Sequence, residues 1–171
     1  MSAILIGYRG SGKTTIGKKL ADRQWQKFVD TDELIISAAG KSIRDIFHQD
    51  GEERFRDLET DAVRKALTLV DHVIALGGGA VLREENRKLI KESSLKRIYL
   101  RCEPQVLLER IQADPQTAAN RPNLTGLAGG IDEIRTLLAK REPLYREVMS
   151  AELDVTNLSP DEAIVYITRL L

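Results

Sequence analysis

The sequence predicts an α/β fold of three layers, with helices on both faces of a central five-stranded parallel sheet. Short β-type runs recur along the 171 residues, each followed by a helix-like stretch, and this alternation is the signature of a parallel sheet wrapped by helices. The runs are rich in Ile, Leu and Val without polar alternation, as expected of strands covered on both faces. The composition, 42% hydrophobic and 30% charged, is that of a globular chain rather than a disordered one. A single domain spanning 1–171 is therefore expected, large enough to hold together without disulfides or a structural metal.

Charge and cysteine content narrow the function classes. Lys plus Arg and Asp plus Glu number 26 each, so the overall field favours neither nucleic acid nor a membrane surface, and an anionic ligand must be captured by local clusters. The N-terminal apolar run, Ala3 to Ile6, is too short for a signal-peptide core, and no stretch approaches membrane-spanning length. The single cysteine, Cys102, forms no internal disulfide, has no partner at metal-ligand spacing and reads as core. These features predict a soluble cytoplasmic protein. No internal repeat is present.

The first run, Ala3 to Gly7, leads into Gly7-Tyr8-Arg9-Gly10-Ser11-Gly12-Lys13-Thr14 and then a helical stretch from Thr15 to Arg23. This is G-x-x-x-x-G-K-[ST] in its required strand, loop, helix context. Glycines let backbone N–H groups converge, the helix N-terminus adds positive potential, and a polyphosphate is the ligand that suits both. Gly10, Ser11, Gly12, Lys13, Thr14 and Thr15 are the expected nucleotide-binding residues, with Lys13 on the β and γ phosphates and the Thr14 hydroxyl on Mg²⁺. A dinucleotide-binding turn competes weakly, because the order G-x-G-x-x-G is lacking.

The second run, Phe28 to Asp30, ends in Asp30-Thr31-Asp32 at the carboxyl edge of the predicted sheet, where open α/β sheets place ligands. Two acids there serve a metal and a substrate hydroxyl, or Thr31 or Asp32 simply caps a helix running from Glu33. Arg56 lies in the charged segment Glu52 to Glu59, where a solvated helix face is the ordinary reading. The third run, His72 to Leu76, ends in Gly77-Gly78-Gly79-Ala80, which suits either close approach of a small ligand or a tight turn. The fourth run is Arg97 to Leu100. Ala113 to Gly130 fits no regular element, and a segment this long reads as a functional lid or as a disordered linker, the lid being favoured. Arg141 precedes Pro143-Leu144-Tyr145. The fifth run, Leu153 to Thr156, is followed by a helix with Ser159 as N-cap, Pro160 at its first position and Glu162 completing a capping box. Ile164, Ile167 and Leu171 share one face of that helix.

Taken together, the chain resembles the shikimate kinases, of the nucleoside monophosphate kinase group of P-loop phosphotransferases. The likeness spans nearly the whole chain. It rests on the phosphate loop, Asp30-Thr31-Asp32, Asp45-Ile46-Phe47 with Gly51-Glu52, Phe55-Arg56, the triple glycine, Arg121-Pro122, and Arg141 before Pro143-Leu144-Tyr145. The resemblance implies transfer of the ATP γ-phosphoryl group to the 3-hydroxyl of shikimate by a monomer that contains a substrate-binding helical region over about 32–60 and a mobile lid over about 113–130. It implies Asp32 on the substrate hydroxyls and as proton acceptor, Asp30 with Thr14 on Mg²⁺, and Arg56 and Arg141 on the shikimate carboxylate. Gly77, Gly78 and Gly79 would meet the ring hydroxyls, and Arg121 would neutralise the transferring phosphoryl with Arg9 assisting. Arg110 and Pro160 would sandwich adenine.

Physical chemistry agrees, since the guanidinium fork suits a planar carboxylate and phosphoryl transfer depends on positioning and charge neutralisation. Phe47 and Phe55 offer apolar walls to the ring or ordinary core packing. The lid sequence Arg121-Pro122-Asn123-Leu124 departs from the family's common Arg-Pro-Leu-Leu. The rival readings are a related small-molecule kinase, such as one acting on gluconate, and a catalytically silent ATP-binding module.

Overall fold

The computed structural model describes residues 2–114 and 130–171. The expected lid and Arg121 therefore fall outside the described residues, apart from the lid's outermost positions. Five strands, β1 (Ala3–Ile6), β2 (Lys27–Asp30), β3 (His72–Ala75), β4 (Lys96–Arg101) and β5 (Ala151–Asp154), form one sheet. The order is β2-β3-β1-β4-β5 with every neighbour parallel. Strand β1 is central, and the chain leaves it first toward β2 on one side and later reaches β4 on the other. The crevice at its carboxyl end is thus the switch point at which such sheets bind ligands.

Between the strands lie α1 (Lys13–Gln24), α2 (Thr31–Ala39), α3 (Ile43–Gln49), α4 (Gly51–Leu67), α5 (Glu84–Glu92) and α6 (Pro104–Ala113), followed by α7 (Ile131–Val148) and α8 (Pro160–Leu170). The main core is built on β1, β3 and β4 with the apolar faces of the flanking helices. Coverage on both faces holds for β1, which is buried throughout, for most of β3 and for the middle of β4. It does not hold for the edges: β2 is half-buried at best, and β5 alternates between half-buried and exposed. A smaller cluster of Ile35, Ile43, Ile46, Phe55 and Ala62 joins α2, α3 and α4 beside the sheet. Phe55 is 5% exposed there, with the Phe47 ring 4.6 Å away, so core packing is the role the fold gives Phe55.

Several boundaries shift by one or two residues from expectation, the first helix starting at Lys13 rather than Thr15, and two of the shifts have a visible cause. The fifth strand begins at Ala151, two residues earlier, because its ladder pairs Ile98 with Ala151 and Arg101 with Asp154. It then stops where the Asp154 side chain accepts from Thr156 N at 2.9 Å. Helix α2 begins at Thr31 rather than Glu33, since its N-cap is Asp30, which accepts from Asp32 N at 3.0 Å. The expected capping box of the last helix is present, with Ser159 and Glu162 satisfying each other's backbone N–H groups. Cys102 is buried, as its residue type suggested. Among the described residues no helix is long and apolar enough to cross a membrane.

Candidate active site

Strand β1 stops at Ile6, and the chain turns through Gly7, Gly10 and Gly12 with φ of 152°, 83° and 91°. Side chains rarely adopt such φ values. Space is as strict as conformation at Gly7, where a Cβ would lie 2.7 Å from Leu100 O. Helix α1 starts at Lys13 on a left-handed Gly12, with no side chain capping its first turn. Its leading N–H groups therefore face the loop's concavity, an anion site by construction. Lys13 Nζ donates to Gly7 O and Tyr8 O, both at 2.8 Å, which lays the ammonium along the loop. Ser11 is fully buried, and its Oγ has no hydrogen-bond partner among the described residues.

A cavity of about 580 Å³ opens over this loop. Of the expected site residues, Arg9, Gly10, Gly12, Lys13, Thr14, Thr15, Asp30, Asp32, Arg110 and Pro160 line it. Thr14 Oγ1 donates to Asp30 Oδ2 at 2.9 Å, joining the end of the loop to the end of β2. A hydroxyl beside a carboxylate is the donor set of Mg²⁺ held chiefly by phosphates and water. The residues fit that ion and no fuller cage, because among the described residues no three His, Cys, Asp or Glu side chains cluster. At the far end, Arg110 Nη2 donates to Val155 O at 3.0 Å, and Arg110 Nη1 lies 3.7 Å from Cys102 Sγ. The guanidinium is thereby fixed on the wall that also carries Pro160.

A second cluster is assembled on the triple glycine. Thr31 Oγ1 accepts from Gly77 N at 2.8 Å, pinning the start of α2 to this turn. A Cβ at Gly77 would lie 2.7 Å from Asp32 Oδ1, and one at Gly79 would lie 2.6 Å from Arg56 Nη1. Neither residue has a positive φ. Close approach of the Asp32 and Arg56 side chains, rather than turn conformation, is what glycine serves at these two positions.

Arg56 and Arg141 are each 7% exposed, which overturns the reading of a solvated arginine on a charged helix. Arg56 Nη1 donates to Glu59 Oε2 at 2.6 Å, while Arg56 Nε and Nη2 reach Glu52 Oε1 at 3.3 and 3.2 Å. Arg141 stands 5.7 Å from the centre of the Tyr8 ring and reaches Gly78 O at 3.5 Å. Glu59, only 1% exposed, was not marked by the sequence. Its pKa is raised by burial against the lowering influence of Arg56 and, more weakly, Arg141. The available clue was its i, i+3 spacing from Arg56, which an exposed ion pair shares. Arg56, Arg141 and the three glycines do not line the cavity over the loop. Both arginines gather on the glycine turn, where Asp32 also packs, so Asp32 belongs to both clusters.

A parallel sheet in this order, with Gly-Lys-Thr entering α1 at the switch point and a second polar cluster behind Asp32, defines a P-loop kinase of a small molecule. The family model described as shikimate kinase matches residues 9–171. A shikimate kinase of Rhodopirellula baltica is 41% identical over 165 residues, 96% of this chain and 87% of the relative. One of Symbiobacterium thermophilum is 37% identical over the whole chain and 96% of its own length. The solved structure of the Acinetobacter baumannii shikimate kinase in complex with shikimate superposes with a TM-score of 0.90 at 31% identity, covering 99% of this chain and 91% of that one. The chain belongs to the shikimate kinase family.

Proposed function

We propose that the chain transfers the γ-phosphoryl group of ATP to the 3-hydroxyl of shikimate, giving shikimate 3-phosphate and ADP. The observation that carries this reading is the position of Asp32, which lines the nucleotide cavity and also packs on Gly77, two residues from the Gly79 on which the buried Arg56 packs. One carboxylate thus stands between a polyphosphate site and a guanidinium suited to an acid.

In this mechanism the loop N–H groups and Lys13 hold the β and γ phosphates, and Arg110 and Pro160 flank the adenine. Thr14 and Asp30 hold Mg²⁺, which supplies neutralisation of phosphate charge when bound. Arg56 and Arg141 bind the shikimate carboxylate, which orients the ring so that the 3-hydroxyl meets Asp32. As the hydroxyl oxygen forms its bond to the γ phosphorus, the bond from that phosphorus to the ADP oxygen breaks, and Asp32 accepts the hydroxyl proton. Positioning and charge supply the rate, since no covalent intermediate on the protein is needed. All these residues come from one chain, so the reading requires no second copy.

The test is ADP release by the purified protein with ATP and Mg²⁺, over a panel of shikimate, quinate and gluconate. Release is expected with shikimate well above the buffer rate, and a shikimate rate equal to buffer would overturn the reading. Faster release with gluconate would shift it to the rival sugar-acid kinase.

A further inference from the structure

Gly78 lies where three parts of the chain meet. Its carbonyl accepts from Tyr145 OH at 2.6 Å and from Arg141 Nη1 at 3.5 Å, two side chains one turn apart on α7. From its other side, a Cβ at Gly78 would stand 3.3 Å from Arg9 N and 3.5 Å from Gly7 O in the phosphate loop. Tyr145 is fully buried, and its ring packs on Tyr99 with centroids 5.1 Å apart. Burial raises its pKa, only partly opposed by Arg141, so its hydroxyl remains a donor at working pH.

The two donors on this carbonyl are unequal. A contact of 3.5 Å is beyond the ordinary range for an N–H donor, whereas 2.6 Å is short and strong for a hydroxyl. Tyr145 therefore holds the carbonyl, and Arg141 only leans on it. A guanidinium makes the stronger bond when it approaches closely, so a Gly78 oxygen stripped of the phenol would draw Arg141 in as a replacement.

We infer that Tyr145 is a positioning residue, which anchors the Gly78 peptide against the phosphate loop and leaves the Arg141 guanidinium available to the carboxylate of the acceptor. This inference rests on the carboxylate role proposed above for Arg141. Tyr145 touches neither ligand in this scheme and acts through Gly78 and Arg141.

The test is a double-mutant cycle of Tyr145→Phe and Arg141→Ala, read by the KM for shikimate and for ATP, with Tyr99→Phe as control. Tyr145→Phe is expected to raise the shikimate KM about tenfold and leave the ATP KM within about twofold, and to add nothing in the Arg141→Ala background. Tyr99→Phe takes a hydroxyl from the same ring pair and is expected to leave both values in place. A Tyr145→Phe enzyme with an unchanged shikimate KM, or with the same added loss when Arg141 is already absent, would overturn the inference. An Arg141→Ala enzyme with normal shikimate KM would instead overturn the carboxylate reading, and the inference with it. If Tyr145→Phe does not fold, the unsubstituted protein still decides: the buried, hydrogen-bonded Tyr145 hydroxyl proton is expected to shift in NMR when shikimate is added without nucleotide. No shift would count against the inference.

Discussion

Arg56 and Glu59 form an ion pair, with 2.6 Å between Nη1 and Oε2, at a position where both side chains are almost wholly withdrawn from water. Burial outweighs the pairing, and the Glu59 pKa lies above its ordinary 4.5. A carboxyl whose pKa is raised on folding favours the folded state most where it is protonated in both states, and that contribution is lost as pH rises through the folded value. Stability measured by urea unfolding should therefore decline, from about pH 4.5 upward, more steeply in the natural protein than in Glu59→Gln. Parallel curves for the two would show that Glu59 titrates as an ordinary carboxyl.

Lys13 is half-buried, and its ammonium donates to the loop carbonyls of Gly7 and Tyr8. Lys13→Ala should consequently leave the fold in place while removing the point charge from the phosphates. The expected loss in kcat is on the order of a thousandfold, as for removal of a preorganised group facing developing charge. The melting temperature is expected to stay within a few degrees. Substantial turnover by the variant would remove Lys13 from the mechanism.

Asp30 has two tasks, since Oδ2 accepts from Thr14 and Oδ1 caps α2 through Asp32 N. Asp30→Asn keeps an oxygen for the cap and loses the charge that suits Mg²⁺. The Mg²⁺ concentration for half-maximal ADP release should rise about tenfold or more, with little change in melting temperature. An unchanged Mg²⁺ requirement would place the ion elsewhere.

The loop residues are legible in the sequence because Gly7 through Thr14 are contiguous and their geometry is local: three glycines with positive φ and a helix beginning at Lys13. Asp32 is legible for a related reason, being next to the end of a strand. The parts played by Glu59 and Tyr145 are not, although Tyr145 stands in the motif after Arg141. An acid three residues after an arginine and an aromatic on an apolar helix face are ordinary local patterns, and what sets these two apart is burial against the glycine turn, a tertiary fact. The sequence signal for the fifth strand lies past its true start for a similar reason. Its edge position leaves Ala151 and Leu153 only half-buried, so the apolar signal was strongest around Leu153 and Val155, past the start of the ladder.

The triple glycine supplies the sharpest separation of roles. A Cβ at Gly77 would collide with Asp32 Oδ1 at 2.7 Å, and one at Gly79 with Arg56 Nη1 at 2.6 Å. Neither glycine has a left-handed φ, so alanine strains no backbone angle there and acts only by displacing the opposing side chain. Asp32 is half-buried and its Oδ1 is the atom that a Cβ would strike, so Gly77→Ala shifts the proton acceptor and should lower kcat. A displacement of about 1 Å costs up to about a hundredfold. Arg56 is confined by Glu59 and Glu52, so Gly79→Ala shifts the carboxylate clamp and should raise the shikimate KM about tenfold with the ATP KM unchanged. Steady-state kinetics on the two variants checks both. A loss in KM for Gly77→Ala and in kcat for Gly79→Ala would mean that the roles of Asp32 and Arg56 have been assigned the wrong way round.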